Sequence, residues 1–304
     1  MFHLDTRKII GKEIGRGSFG TVYAYSGKND PKGQHNSVVK CIRAHSIKTL
    51  FKAFQEVVLG FSCDHPSIIS TSGYCIKQRS SEYPSGHEGE QLNEFNIYIR
   101  MPRMKQNLLD FIQESGKNRR LLSLEEIVKK LHALASGIEY LHKRKIVHRD
   151  VKPNNILMDN NENVLLSDIG SAVFVPEDEH SIPMTYAEGN EKYMAPEIYD
   201  KHGKPERKMY IKGDVWSLGL CIAQLCLMDL EISLRNREEK VKGMIERIRE
   251  IYKEPLASII EGMLKSNPEE RTFITDVRKK LEKEFPNILV RTQFFGKKIF
   301  LYRG

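Results

Sequence analysis

The sequence predicts an α+β fold, in which a small β-rich part with one main helix precedes a larger and mostly helical part. In the first hundred residues, β-type sequence surrounds a glycine-rich stretch over 10–25 and returns as a strand over 97–101. Beyond residue 107 the apolar residues follow helical spacing instead. The chain has 304 residues, 40% of them hydrophobic, which is enough to fill two separate lobes.

The segment from His148 to Gly170 concentrates the polar groups on which the functional prediction depends. Two short apolar runs, 156–158 and 164–166, flank a turn-forming stretch and predict a strand, a turn and a strand. Asn155 and Asp168 supply the hard oxygen ligands that Mg²⁺ on a nucleotide takes from protein. Asp150 lies outside that pair and is therefore a candidate proton acceptor.

This segment closely resembles the catalytic loop and the metal-binding segment of eukaryotic protein kinases of the serine/threonine type. His148-Arg149-Asp150 matches the HRD motif, Asn155 matches the loop asparagine, and Asp168-Ile169-Gly170 matches DFG with Ile in place of Phe. The resemblance covers about residues 8–284 and implies a bilobal protein-kinase-like fold. Its domains would be an N-lobe over 1–104, a C-lobe over 105–284 and a basic-aromatic tail over 285–304.

The stretch from Ile10 to Val22 reads IGKEIGRGSFGTV and places three glycines between two apolar runs. Glycines let backbone N–H groups approach phosphate oxygens without interference from a Cβ atom. The same spacing also occurs in dinucleotide-binding folds, where a helix follows the glycines. Here β-type sequence continues to Tyr25, which favours the glycine-rich loop of a kinase. The three residues are Gly15, Gly17 and Gly20.

Lys40 ends an apolar run, and a buried lysine needs a counter-charge. Taken alone, it would be an ordinary exposed lysine. The resemblance implies that it contacts the nucleotide phosphates and pairs with Glu56 in a helix from Ile47 to Phe61. It also implies a hinge over 102–104 with Met101 as gatekeeper. The implied nucleotide contacts besides the glycines, Lys40 and Glu56 are Ile14, Val22, Val38, Met101, Pro102, Met104 and Leu157.

By the same resemblance, Asp150 and Lys152 are the catalytic residues, ATP and Mg²⁺ are the cofactors, and Asn155 with Asp168 holds the metal. Lys152 is the form of the loop found in serine/threonine kinases, so we expect protein substrates phosphorylated on Ser or Thr. Arg149 could pair bidentately with a phosphate added by an upstream kinase or by autophosphorylation. The candidate positions are Thr185 and Tyr186, with Ser181 more remote.

The activation segment would run from Asp168 to Glu197, where Met194-Ala195-Pro196-Glu197 matches the APE motif. We expect Glu197 to pair with Arg271. We also expect Asp214 to cap a buried helix over 215–228 and to hold the backbone of the HRD loop. A polar stretch over 77–96 is predicted to be an inserted surface loop, and the tail over 285–304 is expected to pack back on the domain.

Several positions depart from the family pattern. Gly60 and Thr71 stand where large apolar residues normally stack with Ile169, so we expect poor packing there and a weakly favoured inward position of the Glu56 helix. Asn190 stands where a threonine often contacts the catalytic aspartate and lysine. Asn154 and Gln224 replace residues that are acidic in several arginine-seeking kinases, so no strong preference for basic substrates is expected.

Composition limits the remaining function classes. The net charge of +8 is diffuse, since 40 acidic residues accompany 48 basic ones, and nucleic acid is not an expected partner. Five cysteines without a C-x-x-C pair predict reduced thiols in the cytoplasm or nucleus. No apolar run reaches the roughly 20 residues of a membrane span.

Two other functions remain open at this stage. A pseudokinase would bind or scaffold with little or no catalysis. The replaced DFG phenylalanine and the poor packing expected at Gly60 and Thr71 support this alternative. The joint presence of Lys40, Glu56, Asp150, Asn155 and Asp168 argues against it, because a scaffold has no chemical need for all five. A small-molecule or lipid kinase of similar fold fits poorly with the APE motif and Lys152.

Overall fold

A computed structural model gives the structure of eight stretches of the chain. The described residues are 10–17, 20–25, 36–78, 94–118, 120–175, 190–199, 207–231 and 237–289. They divide into two units. Unit 1 comprises the described residues up to Lys105 together with Asp168–Ser171, and unit 2 comprises those of Gln106–Ser167 and from Ala172 onward.

Unit 1 contains a five-stranded antiparallel sheet and one α-helix. The spatial order of the strands is β1-β2-β3-β5-β4. The bounds are β1 Ile10–Gly17, β2 Gly20–Tyr25, β3 Ser37–Ala44, α1 Ile47–Ser62, β4 Gly73–Gln78 and β5 Phe95–Pro102. A short 3₁₀ helix over Ile169–Ser171 also belongs to this unit. The predicted β-rich part with one main helix is confirmed.

Helix α1 begins where the sequence supplies a cap. The hydroxyl of Ser46 accepts from the amide of Thr49, whose hydroxyl in turn accepts from the amide of Ser46. The inner face of the helix, including Ala53 and Val57, packs with Ile97 and Ile99 of the sheet. This packing fixes the side of the helix that carries Glu56, which is buried.

Unit 2 is mostly helical, with short strands beside the polar segment. The strands are β6 Gln106–Asn107, β7 Ile146–Val147, β8 Ile156–Met158, β9 Val164–Leu166 and β10 Val173–Phe174. The helices are α2 Leu108–Lys117, α3 Leu124–Lys143, α4 Pro196–Tyr199, α5 Arg207–Leu227, α6 Arg237–Tyr252, α7 Leu256–Met263 and α8 Ile274–Glu284. A 3₁₀ turn covers Pro153–Asn155. The fold class is the predicted one.

The core of unit 2 forms around α3 and α5. Helix α3 starts at the predicted capping box, in which Ser123 and Glu126 exchange backbone and side-chain hydrogen bonds. Its apolar stripe is fully buried at Ile127, Leu131, Leu134, Ile138 and Leu141. Trp216 and its neighbours on α5 are also fully buried, as the nearly continuous apolar sequence of that helix predicts.

The structure corrects two expectations. Helix α5 starts at Arg207, so Asp214 lies inside it and does not cap it. Gly60 is also not poorly packed, because a Cβ added there would lie 2.1 Å from Oγ1 of Thr71. The amide of Thr71 donates to the carbonyl of Gly60 at 3.1 Å. The threonine therefore fills the space that the glycine leaves, and the expected weakness at this contact is wrong.

All five cysteines lie in the described residues, and they are buried and form no disulfide: Cys41, Cys63, Cys75, Cys221 and Cys226. Among the helices of the described residues, none combines the length and the apolar character that a membrane crossing requires. Thr185, Tyr186 and Ser181, most of the 77–96 stretch and most of the 285–304 tail lie outside the described residues.

Candidate active site

Lys40 lies at the centre of a charged cluster in unit 1. Its ammonium donates to both carboxylate oxygens of Glu56, at 2.8 and 2.9 Å, and to Oδ1 of Asp168 at 2.9 Å. The three residues come from β3, from the inner face of α1 and from the segment that precedes the 3₁₀ turn. The predicted pair of Lys40 and Glu56 is therefore formed, and Asp168 joins it.

The electrostatics of this cluster favour a charged lysine. Burial by itself lowers the pKa of Lys40, but the carboxylates of Glu56 and Asp168 outweigh it and raise that pKa above its usual value. Burial, with a contribution from the charge of Asp168, raises the pKa of Glu56, while Lys40 acts in the opposite direction. Within the described residues, the carboxylates of Glu56 and Asp168 thus both contact the ammonium of Lys40.

The chemistry of the donor atoms is the observation against which a magnesium site can be tested. Asp168 supplies hard carboxylate oxygens, and Mg²⁺ on a nucleotide takes only one or two protein oxygens of this kind. The donor set in unit 1 therefore fits the cation that the resemblance implies. Asn155, the other predicted ligand, belongs to unit 2, where its side-chain oxygen is the atom that could bind a cation.

Strand register places several predicted nucleotide contacts on one face of the sheet. Val22 of β2 pairs with Lys40 of β3. Val38, which lies two residues before Lys40 in β3, pairs with Met101 of β5. Residues opposite each other in antiparallel strands share a face, and so do residues two apart. Val22, Val38, Lys40 and Met101 therefore line the same face. Of these, Val38 and Lys40 are buried, whereas Val22 and Met101 are partly exposed.

The three glycines of the β1–β2 hairpin differ in their surroundings. A Cβ on Gly20 would lie 2.4 Å from the carbonyl oxygen of Cys41, and the φ of Gly20 is 151°. By contrast, a Cβ on Gly15 or Gly17 would meet no described atom within 4 Å. Packing within the described residues therefore requires glycine at position 20 and does not require it at 15 or 17.

The other predicted nucleotide contacts are placed as follows. Ile14 lies in the irregular part of the pairing between β1 and β2 and is 43% exposed. Pro102 ends β5 and is exposed, and Met104 follows it and is partly exposed. Leu157 belongs to β8 of unit 2, where it pairs with Leu165 and Asn107.

A second polar cluster lies in unit 2 around Asp150, which is 3% exposed. Its Oδ2 accepts from the ammonium of Lys152 at 2.7 Å and from the amide nitrogen of Asn155 at 2.9 Å. The same amide also donates to the backbone carbonyl of Asp150. Oδ1 accepts a longer bond, 3.2 Å, from the backbone N–H of Asn190. Among the described residues, the two oxygens therefore differ, since Oδ2 accepts two short bonds and Oδ1 accepts one longer bond.

Asp214 holds the backbone that leads into Asp150. Its carboxylate accepts from the amides of His148 and Arg149, at 2.8 and 2.9 Å, and contacts Nε2 of His142 at 2.9 Å. Arg149 has a φ of 65°, which is uncommon for a side chain of this kind. The expectation that Asp214 holds the HRD backbone is confirmed, and these bonds offset the cost of the unusual conformation.

His148 connects the same backbone to β9. Its Nδ1 accepts from the amide of Asp150 at 3.3 Å, and its Nε2 lies 3.1 Å from the carbonyl oxygen of Ser167. One ring nitrogen accepts and the other donates, which is the pattern of the imidazole protonated on Nε2. His148 is completely buried, so it positions Asp150 rather than contacting a ligand.

Two buried arginine side chains hold the segment Asn190–Tyr199 against the rest of unit 2. Arg271 donates to both oxygens of Glu197, at 2.7 and 2.9 Å, which confirms the predicted pair. Arg237 donates to the carbonyls of Glu191 and Met194. Sequence reasoning missed Arg237, because it opens α6 outside any motif and its partners are backbone atoms.

A family model described as "Protein kinase domain" matches residues 9–281. Similar proteins include the serine/threonine-protein kinase Nek11 of Homo sapiens, which is 26% identical over 298 residues, or 94% of this chain and 42% of that protein. Serine/threonine-protein kinase Nek6 of Oryza sativa subsp. japonica is 28% identical over 272 residues, or 86% of this chain and 45% of that protein.

A third similar protein is the SNF1-related protein kinase catalytic subunit alpha KIN12 of Arabidopsis thaliana. It is 29% identical over 284 residues, which cover 88% of this chain and 50% of that protein. The chain therefore spans half or less of the length of these relatives. The family model covers most of the chain, and the clusters around Lys40 and Asp150 contain the residues of its motifs. The chain belongs to the protein kinase domain family.

Proposed function

We propose that the chain is a serine/threonine protein kinase that transfers the γ-phosphate of ATP to hydroxyl groups of protein substrates. The observation that carries the proposal is the arrangement around Asp150, a buried carboxylate. Among the described residues, Lys152 and Asn155 hold one of its oxygens, and the other accepts one longer bond from the backbone of Asn190. A group placed in this way is suited to accept a proton from a substrate hydroxyl. Family membership and the names of the relatives support the same reaction.

Asp150 would orient the substrate Ser or Thr and take the hydroxyl proton as the reaction proceeds. The hydroxyl oxygen forms a bond to the γ-phosphorus, the bond from that phosphorus to the β,γ-bridging oxygen breaks, and ADP leaves. Lys152 would donate to the transferring phosphoryl group and stabilise its charge. These roles are positioning and electrostatic stabilisation, which supply most of the acceleration in phosphoryl transfer.

Nucleotide binding is assigned to residues of unit 1 and to Leu157. Lys40, held by Glu56, would bind the α- and β-phosphates, and the backbone at Gly15 and Gly17 would approach phosphate oxygens. Asp168 and Asn155 would hold Mg²⁺, which neutralises phosphate charge when it is bound. The adenine would contact Ile14, Val22, Val38, Met101, Pro102, Met104 and Leu157.

Regulation and location belong to the same proposal. Arg149 is the residue to which a phosphate on Thr185 or Tyr186 would bind, with an upstream kinase or the chain itself adding that phosphate. The five buried cysteines, which form no disulfide, support a reducing compartment, the cytoplasm or the nucleus.

The proposal is tested by measuring transfer of radiolabelled phosphate from ATP to a generic protein substrate, followed by identification of the phosphorylated amino acid. We expect Asp150→Asn to lower the rate by at least about 100-fold, which is within the range for loss of a general base. Asp276→Asn, at an exposed aspartate of α8, is the matched control and should retain full activity. Thermal unfolding of both variants verifies that they are folded.

Three results would contradict the proposal. Equal rates for the wild type and Asp150→Asn would remove Asp150 from the chemistry. Label found on tyrosine alone would contradict the substrate class. A folded wild type without any transfer, which still binds ATP, would favour a binding or scaffolding module.

A further inference from the structure

A single arginine of α6 holds the backbone of the segment Asn190–Tyr199 at two points. The guanidinium of Arg237 donates from Nη1 to the carbonyl oxygen of Met194 at 2.6 Å and from Nη2 to the carbonyl oxygen of Glu191 at 2.9 Å. Arg237 is buried, and its guanidinium carbon lies 5.3 Å from the centroid of the Tyr199 ring. One charged side chain therefore contacts three residues of this segment.

The helix that carries Arg237 does not favour a cation at this position. Glu238 and Glu239 follow it in the first turn of α6 and carry the sign of charge that a helix N-terminus favours. A positive charge at the first residue interacts unfavourably with the same helix dipole. The bonds to the carbonyls of Glu191 and Met194 offset this cost, because hydrogen bonds from a charged donor are stronger than neutral ones.

Arg237 fixes the shape of the segment as well as its position. The N–H groups of a guanidinium form a rigid planar fork, so the two carbonyl oxygens that it binds are held at a set separation. Between them in sequence, the carbonyl oxygen of Tyr193 accepts from the hydroxyl of Ser217 on α5 at 2.7 Å. Three carbonyls within four residues are thus held by side chains of α5 and α6, and these bonds restrict the backbone over 191–194.

This restricted backbone lies next to Asp150. The backbone N–H of Asn190 donates to Oδ1 of Asp150 at 3.2 Å, and Asn190 directly precedes Glu191. A substrate hydroxyl that binds to Asp150 therefore lies beside Asn190, and the neighbouring substrate residues pass the residues that follow it. Glu191 and Lys192 are exposed and hence accessible to such a chain.

We infer that Arg237 is a positioning residue for the protein substrate, because it pre-organises the surface that receives the substrate chain beside Asp150. A surface that is already ordered binds a flexible chain more tightly, since binding does not have to supply the free energy of ordering it. Arg237 acts through the backbone at Glu191 and Met194. The inference rests on the proposed kinase function and deepens it by assigning substrate affinity to a residue outside the kinase motifs.

The test is steady-state kinetics of phosphate transfer from ATP to the generic protein substrate, with the two substrates varied in turn. Arg237→Met keeps an apolar stem and removes the donors, and the KM for protein substrate should rise at least about tenfold. The KM for ATP and the kcat should each change by less than about twofold, since loss of substrate binding alone raises only the KM for that substrate. Arg237→Lys restores the charge without the planar fork and should give an intermediate KM.

Arg247→Met is the matched control on the same helix. Arg247 is exposed and pairs with Asp229 at 3.5 Å, so its replacement should leave both KM values unchanged. ATP hydrolysis without protein substrate is a second readout, because a merely structural role of Arg237 would lower it together with transfer to protein. We expect the same rate of hydrolysis in the wild type and in all three variants. Circular dichroism verifies that each variant is folded.

The inference is overturned by any of three results. The first is an equal KM for protein substrate in Arg237→Met and Arg247→Met. The second is a proportional loss of ATP hydrolysis and of transfer to protein in Arg237→Met, and the third is unfolding of both Arg237→Met and Arg237→Lys. If Arg237→Met alone fails to fold, the same comparison is decided with Arg237→Lys. A wild type that transfers no phosphate would contradict the proposed function, and this inference with it, whereas the three results above leave the proposed function intact.

Discussion

At Gly20, a side chain of any size would place its Cβ within 2.4 Å of a backbone carbonyl oxygen, in a sheet that cannot move away easily. At Gly17, three residues earlier, an added Cβ would meet no described atom within 4 Å. Both residues belong to the same G-x-G-x-x-G pattern. The pattern therefore combines a glycine that the sheet requires with glycines that packing within the described residues does not require.

Gly20→Ala should lower the free energy of unfolding by at least about 2 kcal/mol, because it adds both a backbone contact and an unfavourable φ. Gly17→Ala should change it by less than about 0.5 kcal/mol and weaken ATP binding several-fold. Urea unfolding and nucleotide titration measure the two effects. A loss of stability in Gly17→Ala equal to that in Gly20→Ala would remove the distinction.

The pKa of Asp214 predicts how the stability of the folded protein depends on pH. Burial by itself raises the pKa of this carboxyl, but the hydrogen bond and charge of His142, together with His148, outweigh burial and lower it below the ordinary value of 3.8. A depressed folded-state pKa stabilises the protein above the unfolded-state value. That contribution is lost as the pH falls through the lower value.

Asp214→Asn should therefore cost about 1.5–3 kcal/mol near neutral pH, because it replaces a charged acceptor of two backbone amides. The difference from the wild type should be constant from about pH 6 to pH 4 and shrink below about pH 3.8. Urea unfolding across this range is the measurement. A difference that does not change on acidification would contradict the assignment.

Residue types and spacing were sufficient to predict Lys40 with Glu56 and Glu197 with Arg271, since each pair combines opposite charges in recognisable motifs. Packing at Gly60 was not predictable from the same information. A glycine suggests a gap when only its own side chain is considered, and the structure shows Thr71 occupying that space.

A buried ion pair between Glu197 and Arg271 holds α4 and its neighbouring residues in position. The side chain of Arg271 is completely buried, and that of Glu197 is 11% exposed. Arg271 also donates to the carbonyls of Lys212, Lys265 and Ser266. Removing one partner of a buried pair leaves the other charge without compensation.

Glu197→Gln should destabilise the protein by about 3 kcal/mol. The matched control is Glu125→Gln, which breaks an exposed pair with Lys129 on α3 and should cost less than about 0.5 kcal/mol. Urea unfolding of both variants gives the comparison. Similar small losses in the two would show that the Glu197 pair contributes little to stability.

Helix boundaries were predictable where a cap is local and not where the start depends on other contacts. The S-x-x-E sequence at Ser123 marks the start of α3 correctly, because the two capping groups are three residues apart. The start of α5 lies seven residues before Asp214 and has no such signal. Asp214 resembles a cap in sequence because it precedes a long apolar run.

Across the whole molecule, the change from strand spacing to helix spacing near residue 105 predicts the fold class, and the structure has a β-rich unit 1 and a mostly helical unit 2. The assignment of Asp168–Ser171 to unit 1 was not predictable from order along the chain. It depends on contacts with α1 and Lys40, and such contacts join residues more than a hundred positions apart.

The burial of the five cysteines has a practical consequence for labelling experiments. Burial raises the pKa of Cys221 and of Cys226, so their thiolates are scarce at neutral pH, and maleimides react with thiolates. Cys41, Cys63 and Cys75 are also buried, within unit 1. A single cysteine introduced on the surface would therefore be modified first, and a spectroscopic probe could be attached there without removing any native thiol.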